Sequence, residues 1–122
     1  MIGTLKTFAL DCPDPTALAG FYAELLGGKI VDEDGDNTWV ELVGDFGTTL
    51  SFQRVDDYRP PRWPSQDHPQ QAHLDLGVDD LPDAQQQVLA LGATLLEDWS
   101  DTRTWRVFAD PDGHPFCLCA CP

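Results

Sequence analysis

A chain of 122 residues has room for one compact domain and not for two independent cores. Hydrophobic residues make up 42% and charged residues 23%, which disfavours disorder and fibrous classes, and no apolar run approaches the roughly 18 residues of a membrane span. Seven Lys plus Arg against 21 Asp plus Glu give a formal charge of -14. Such a surface repels a phosphate backbone, so nucleic acid is not an expected partner; solubility explains most of the acidity, and affinity for cationic ligands is the second use.

The amino-terminal stretch MIGTLKTFAL has no basic n-region, long apolar core or small-residue cleavage site, so it reads as no secretory signal and the cytoplasm is the expected compartment. Next in the chain, Phe8 and Leu10 mark a strand. Cys12 follows, alone, and the other cysteines, Cys117, Cys119 and Cys121, alternate in one segment. That spacing matches neither a disulfide framework nor a CxxC zinc knuckle, and free thiols in a reducing compartment are expected.

The first helix signal is complete. Asp14 is the cap, Pro15 suits the first helical position, Leu18, Phe21, Tyr22 and Leu25 follow at helical spacing, and Gly27 with Gly28 ends the run. Strands are predicted at 29–32, 39–43 and 48–55. Residues 56–71 carry Pro60, Pro61, Pro64 and Pro69 with little periodicity and read as a linker. After a strand around Leu74 and Leu76, Asp80 caps a second helix with an apolar stripe of Leu81, Ala84, Val88 and Leu91, stopped by Gly92. Strands at 94–99, 104–109 and 116–120 complete the chain, the last two joined by the turn signal Asp110-Pro111-Asp112-Gly113.

These elements form a repeat. Phe8, Leu10 and Asp14 correspond to Leu74, Leu76 and Asp80; Gly27-Gly28-Lys29-Ile30 corresponds to Gly92-Ala93-Thr94-Leu95; Leu50-Ser51-Phe52 corresponds to Phe116-Cys117-Leu118. Each half reads strand, helix, strand, strand, strand, so the expectation is one domain, 1–122, of two modules, 1–55 and 72–122, joined by 56–71. Alternation places Phe8, Leu10, Leu50, Phe52, Leu74, Leu76, Phe116 and Leu118 toward the helices. The opposite face collects Thr7, Ala9, Asp11, Ser51, Gln53, His73, Asp75, Cys117 and Cys119. They converge on a pocket if the halves curl toward one another.

The duplicated βαβββ unit, with LDCPDPTALAGFYAELLGG, HLDLGVDDL and VFADPDGHPFCL as its most specific segments, resembles the vicinal oxygen chelate superfamily. That superfamily includes glyoxalase I, extradiol dioxygenases and bleomycin-resistance proteins, and the chain is most similar to its small glyoxalase-like members. The resemblance implies an α+β fold in which two βαβββ modules form a curled mixed sheet around a pocket, and a homodimer. In metal-dependent members four inward side chains hold a divalent ion, and the matching positions here are Thr7, Ser51, His73 and Cys117. Only His73 keeps a common ligand type, and Cys117 stands where the family usually has Glu. Neutral hydroxyls are poor ligands for a mid-series divalent ion. No cofactor is therefore expected, with a divalent metal as the alternative.

His73 has three readings: a satisfied structural histidine, a ligand-contacting or acid–base group, or a metal ligand. Asp75 either orients a bound cation and favours the imidazolium of His73 or is a solvated carboxylate. Cys117 and Cys119 are nucleophiles, soft-metal ligands with His73, or packing residues. The Gln53 amide suits a ligand carbonyl and Asp11 an amine. Trp39, Trp63, Trp99 and Trp105 offer aromatic walls or core packing, and Trp63, in the Pro-rich segment, suits a lid. His68 and His114 read as solvent-facing, while Glu41, Glu97 and His68 are outlying metal donors. No phosphate cradle, Ser-His-Asp elbow, HExxH or EF-hand loop is present.

Together these readings favour a glyoxalase-like protein with a degraded metal site that binds a small organic molecule between its modules, His73 being the one candidate catalytic residue. The alternative is a lyase, isomerase or dioxygenase with a rearranged divalent-metal site around His73. A dimeric interaction module with an occluded pocket is the third class.

Overall fold

The computed structural model describes residues 1–97 and 103–120. Its first half runs β1 (Thr7–Cys12), α1 (Pro15–Leu26), β2 (Lys29–Val31), β3 (Trp39–Val43) and β4 (Thr49–Arg54). The second runs β5 (Leu74–Gly77), α2 (Leu81–Ala90), β6 (Thr94–Glu97), β7 (Trp105–Ala109) and β8 (Pro115–Cys119). Each half is a mixed sheet, ordered β1-β4-β3-β2 and β5-β8-β7-β6, whose first pair is parallel and whose other pairs are antiparallel. This is the α+β arrangement of two βαβββ modules that the repeat predicts. Described strand ends lie within one residue of the expected ones, and the expected end of the sixth strand, 98–99, lies outside the described residues.

Local chemistry sets the helix ends. Asp14 is extended, and its carboxylate accepts from the Ala17 N–H at 3.3 Å, satisfying a donor that the first turn leaves unpaired. Gly27, at φ 77, donates back to the Ala23 carbonyl at 2.8 Å and turns the chain out of α1. Gly28 is fixed by space as well, since a Cβ there would stand 2.8 Å from the Val43 carbonyl oxygen. In α2, Asp80 accepts from the Asp83 N–H at 3.0 Å. The expected stripe of α2 is shorter than predicted: Leu81 and Val88 are buried, but Leu91 is 38% exposed. Leu91 is already the C-cap, so the chain leaves the helix there, and Ala93 takes the next buried place.

Packing follows the alternation. In the first half Tyr22 stacks on Phe52 with centroids 5.9 Å apart, and Phe21 meets Tyr22 edge-on at 5.0 Å, over Val40, Leu42 and Leu50. In the second, Phe108 stacks on Phe116 at 5.6 Å, with Val88 and Leu118 also buried, and Arg106 donates to the Gln85 carbonyl oxygen on α2 at 2.7 Å.

The chain divides into two compact units, Met1–Tyr58 and Arg59–Pro122. Most of the Pro-rich segment therefore goes with the second unit. Its Arg62 N–H donates to the His68 carbonyl at 2.7 Å, and a Cβ on Gly113 would stand 2.8 Å from Cβ of Pro60, which brings the segment against the β7–β8 turn.

Candidate functional site

In the second unit the parallel pairing of β5 with β8 places Asp75 beside Cys117 in register. His73, expected inside the strand, lies one residue before it, and its Nε2 is 3.2 Å from Oδ1 of Asp75. Both side chains reach solvent, His73 at 42% and Asp75 at 68% exposure. One ligand atom from each of His73, Asp75 and Cys117 lies within 4.8 Å of the other two. Burial pushes the Cys117 thiol up to about 11, assisted by the charge of Asp75 and by a hydrogen bond to it. At neutral pH Cys117 is thus a thiol, not the activated nucleophile its position allows.

A cleft of about 260 Å³ opens on this cluster, lined by His73, Asp75, Trp105, Cys117 and Cys119. A second, of about 190 Å³, adjoins it through His73, Trp105 and Cys117 and adds Trp63, Gln70, Val107 and Pro115. Trp63 comes from the Pro-rich segment and lines this second cleft. Arg103 stands over the Trp105 ring at 4.9 Å from its centroid, a cation–π contact that occupies one face of the indole. Cys119 is disulfide-bonded, whereas Cys12 and Cys117 are free thiols. The expectation of free thiols is therefore corrected at Cys119, which is neither a nucleophile nor a metal ligand in this state.

The first unit arranges its counterpart residues differently. The Thr7 hydroxyl donates to the Thr49 carbonyl at 2.8 Å and is also hydrogen-bonded to the Ser51 hydroxyl, which is fully buried. Asp11 and Gln53 lie side by side across β1 and β4, both exposed. Two of the four positions matched to the family metal site are thus neutral hydroxyls already engaged with each other, and this four-residue set does not fit a divalent ion. Among the described residues, the cluster of possible ligands is His73, Asp75 and Cys117, without Glu41, Glu97 or His68.

Other expectations also change. His114 is not solvent-facing: its side chain is 13% exposed, with Nδ1 2.8 Å and 2.9 Å from the two oxygens of the fully buried Asp110 carboxylate. The turn explains this, since Asp110 also accepts from the Asp112 and His114 N–H groups, at 2.9 and 3.0 Å, which folds His114 back over it. His68 is exposed as expected, Trp39 is 38% exposed on β3, and Trp99 lies outside the described residues. Trp105, one of the four tryptophans expected as aromatic walls or core packing, lines both clefts, whereas Val107, Gln70 and Pro115 were not singled out from sequence. The signal for Val107 was present: it alternates with Trp105 along β7, and the two pair with Cys117 and Cys119 respectively.

The family model described as "Glyoxalase-like domain" matches residues 7–119. A hypothetical protein, SA1046, from S. aureus superposes with a TM-score of 0.69 at 22% identity, covering 99% of each chain. A glyoxalase/bleomycin resistance protein/dioxygenase family enzyme from Burkholderia phytofirmans PsJN gives 0.70 at 16% identity, over 95% of this chain and 97% of that one. The genomically encoded fosfomycin resistance protein FosX from Listeria monocytogenes gives 0.70 at 18% identity, over 100% and 94%. At these identities the likeness is one of fold. None of the curated proteins matches the chain. Among the described residues, no helix is long and apolar enough to cross a membrane.

Proposed function

The chain belongs to the glyoxalase-like domain family of the vicinal oxygen chelate superfamily, and from that premise we propose that its second unit binds a small organic molecule. The observation that carries this reading is the meeting of Trp63 and Trp105 with the His73–Asp75 pair around adjoining clefts. Aromatic walls suit a flat apolar body, and the Asp75 carboxylate suits an amine on it. Each cleft alone is smaller than the roughly 300 Å³ at which ordinary ligand sites begin, so the ligand is compact and spans both. Calorimetric titration of the metal-free protein with flat aromatic amines should show saturable binding, weakened at least about tenfold in Asp75→Asn by loss of one charge-assisted hydrogen bond. Absence of saturable binding across the panel overturns the proposal.

The 3.2 Å approach of His73 to Asp75 favours a second reading, an enzyme in which His73 is a general base oriented by Asp75. Its metal-dependent form, a lyase, isomerase or dioxygenase, draws support from the closeness of Cys117 to that pair. Full turnover of a discovered substrate by His73→Ala would eliminate both forms. Exposed Ile30, Trp39 and Val43 on β2 and β3 support a homodimer, which sedimentation velocity tests. Cytoplasmic residence is supported by the free Cys12 and Cys117 and opposed by the disulfide at Cys119, and acid-quenched thiol counting in cells decides it.

A further inference from the structure

We propose that the molecule bound in the second unit is an arylalkylamine whose ring carries a hydroxyl, and that the Gln70 amide selects for that hydroxyl. This rests on the organic-ligand reading and goes beyond it by naming the chemical class and a specificity-determining side chain.

The order of the lining residues gives the ligand a direction. Asp75 lines only the first cleft and Gln70 only the second, whereas His73, Trp105 and Cys117 border both. An ammonium drawn to the Asp75 carboxylate therefore has its carbon body along the shared border and its far end in the second cleft. There Trp63, Val107 and Pro115 offer apolar surface to a ring. Arg103 already covers one face of the Trp105 indole, which leaves the other face for that ring.

Polar chemistry at the far end narrows the class. Gln70 is half-buried in the wall of the second cleft, and among the described residues its amide has no hydrogen bond within the protein. A bare hydrocarbon ring seated against it would strip water from the amide without replacing the lost bonds, at a cost in free energy. The amide both donates and accepts, and a hydroxyl matches it in both roles. A carboxylate at that end would match only the N–H side and would have to enter a chain of formal charge -14.

The internal repeat provides a contrast within the same chain. Trp39 of the first unit occupies the place of Trp105, but Ala9 occupies that of Asp75. The tryptophan on the third strand thus occurs twice, once with a carboxylate to hold an amine and once without it.

The test is calorimetric titration of the metal-free full chain with tyramine, phenethylamine and para-hydroxyphenylpropionate. Tyramine should bind saturably, and phenethylamine, which lacks only the hydroxyl, at least about fivefold more weakly. The propionate, which puts a carboxylate in place of the ammonium, should not bind measurably. In Gln70→Leu, tyramine should fall to the level of phenethylamine, while phenethylamine stays within about twofold of its affinity for the natural sequence. The quantity read is the ratio of the two amines, which a partial loss of folded protein leaves unchanged, and the natural sequence yields that ratio without any variant. Equal binding of the two amines by the natural sequence, or a ratio that survives Gln70→Leu, overturns the proposal. So does binding of other aromatic amines without binding of tyramine, and in each of these cases the organic-ligand reading stands. Absence of saturable binding across all the aromatic amines, or propionate binding as tight as that of tyramine, overturns the amine reading and the proposal together.

Discussion

Cys117 is held as a thiol by two influences of unequal size, burial first and the neighbouring Asp75 carboxylate second. The two can be separated by chemistry. Asp75→Asn removes the charge and keeps the burial, so iodoacetamide should modify Cys117 faster in the variant, by between about twofold and tenfold at pH 8, without reaching the rate of an open thiol. Peptide mapping distinguishes Cys117 from the other free thiol, Cys12, which is wholly buried. An unchanged or slower rate would remove Asp75 as a restraint. The sign for stability follows from the raised folded value: the contribution is intact below the unfolded thiol pKa of about 8.5 and is lost as pH rises toward about 11. At this scale the side-by-side placement of Asp75 and Cys117 was legible from alternation and the repeat, because period two assigns a face to every strand residue, and His73 continues that period one residue before β5. Which of the other tryptophans would join Trp63 as a wall was not legible, because that depends on which strand neighbours β8. His114 was misread because a turn histidine looks solvent-facing until the buried acceptor four residues earlier is seen.

Among the elements, α1 shows how much a helix start can encode. Asp14 caps it, and the cap is itself held from the loop between β2 and β3: Asn37 donates to the Asp14 carboxylate at 2.8 Å, while its carbonyl oxygen accepts from the Thr16 N–H at 2.8 Å. These bonds keep the Asp14 carboxyl below its ordinary range, the Asn37 contact most and the Ala17 N–H next. Asn37 also sits at φ 59, where asparagine is better tolerated than most residues. Asn37→Ala should therefore destabilise the fold by about 1–2 kcal/mol at pH 7, through the lost cap contacts and the left-handed backbone, whereas Asn37→Gly isolates the contacts. Because the carboxyl pKa is depressed, the stabilisation is present above the unfolded value of about 3.9 and disappears as pH falls through the lower folded value. The gap between natural sequence and Asn37→Ala in urea unfolding should narrow from pH 7 to pH 3; a constant gap would mean the contact does not depend on the charge. Both caps and both helix stops could be read from Asp14-Pro15, from Asp80 ahead of an apolar stripe, and from glycine punctuation. The bond from Asn37 could not, since it joins residues 21 and 23 positions apart, and no local pattern announces that pairing.

Across the whole molecule, duplication made the architecture legible and concealed the asymmetry that matters for function. Matching the halves recovers the same four-strand order twice because apolar alternation and helix punctuation are shared. The polar faces are not shared: Thr7 and Ser51 satisfy one another in the first unit, while their counterparts His73 and Cys117 join Asp75 in the second. A ligand that binds only the folded state stabilises it by about 2.7 kcal/mol at a hundredfold excess over its dissociation constant, and its local effect is greatest where its ligands are anchored. Under the metal-dependent reading of the His73 site, zinc should therefore slow amide hydrogen exchange first in β5 and β8, with a smaller effect on β1 and β4, the equivalent strands of the other unit. The sheet pairing makes the contrast fair, since both pairs are parallel. Exchange measured with and without one equivalent of zinc, under conditions where local opening dominates, provides the comparison. Equal protection in β1 and β4 would show that the two units respond as one cooperative body, and stronger protection there would move the site to the first unit. Protection confined to β5 and β8 would instead mean that one copy of a duplicated sheet has kept structural duty while the other has acquired the chemistry.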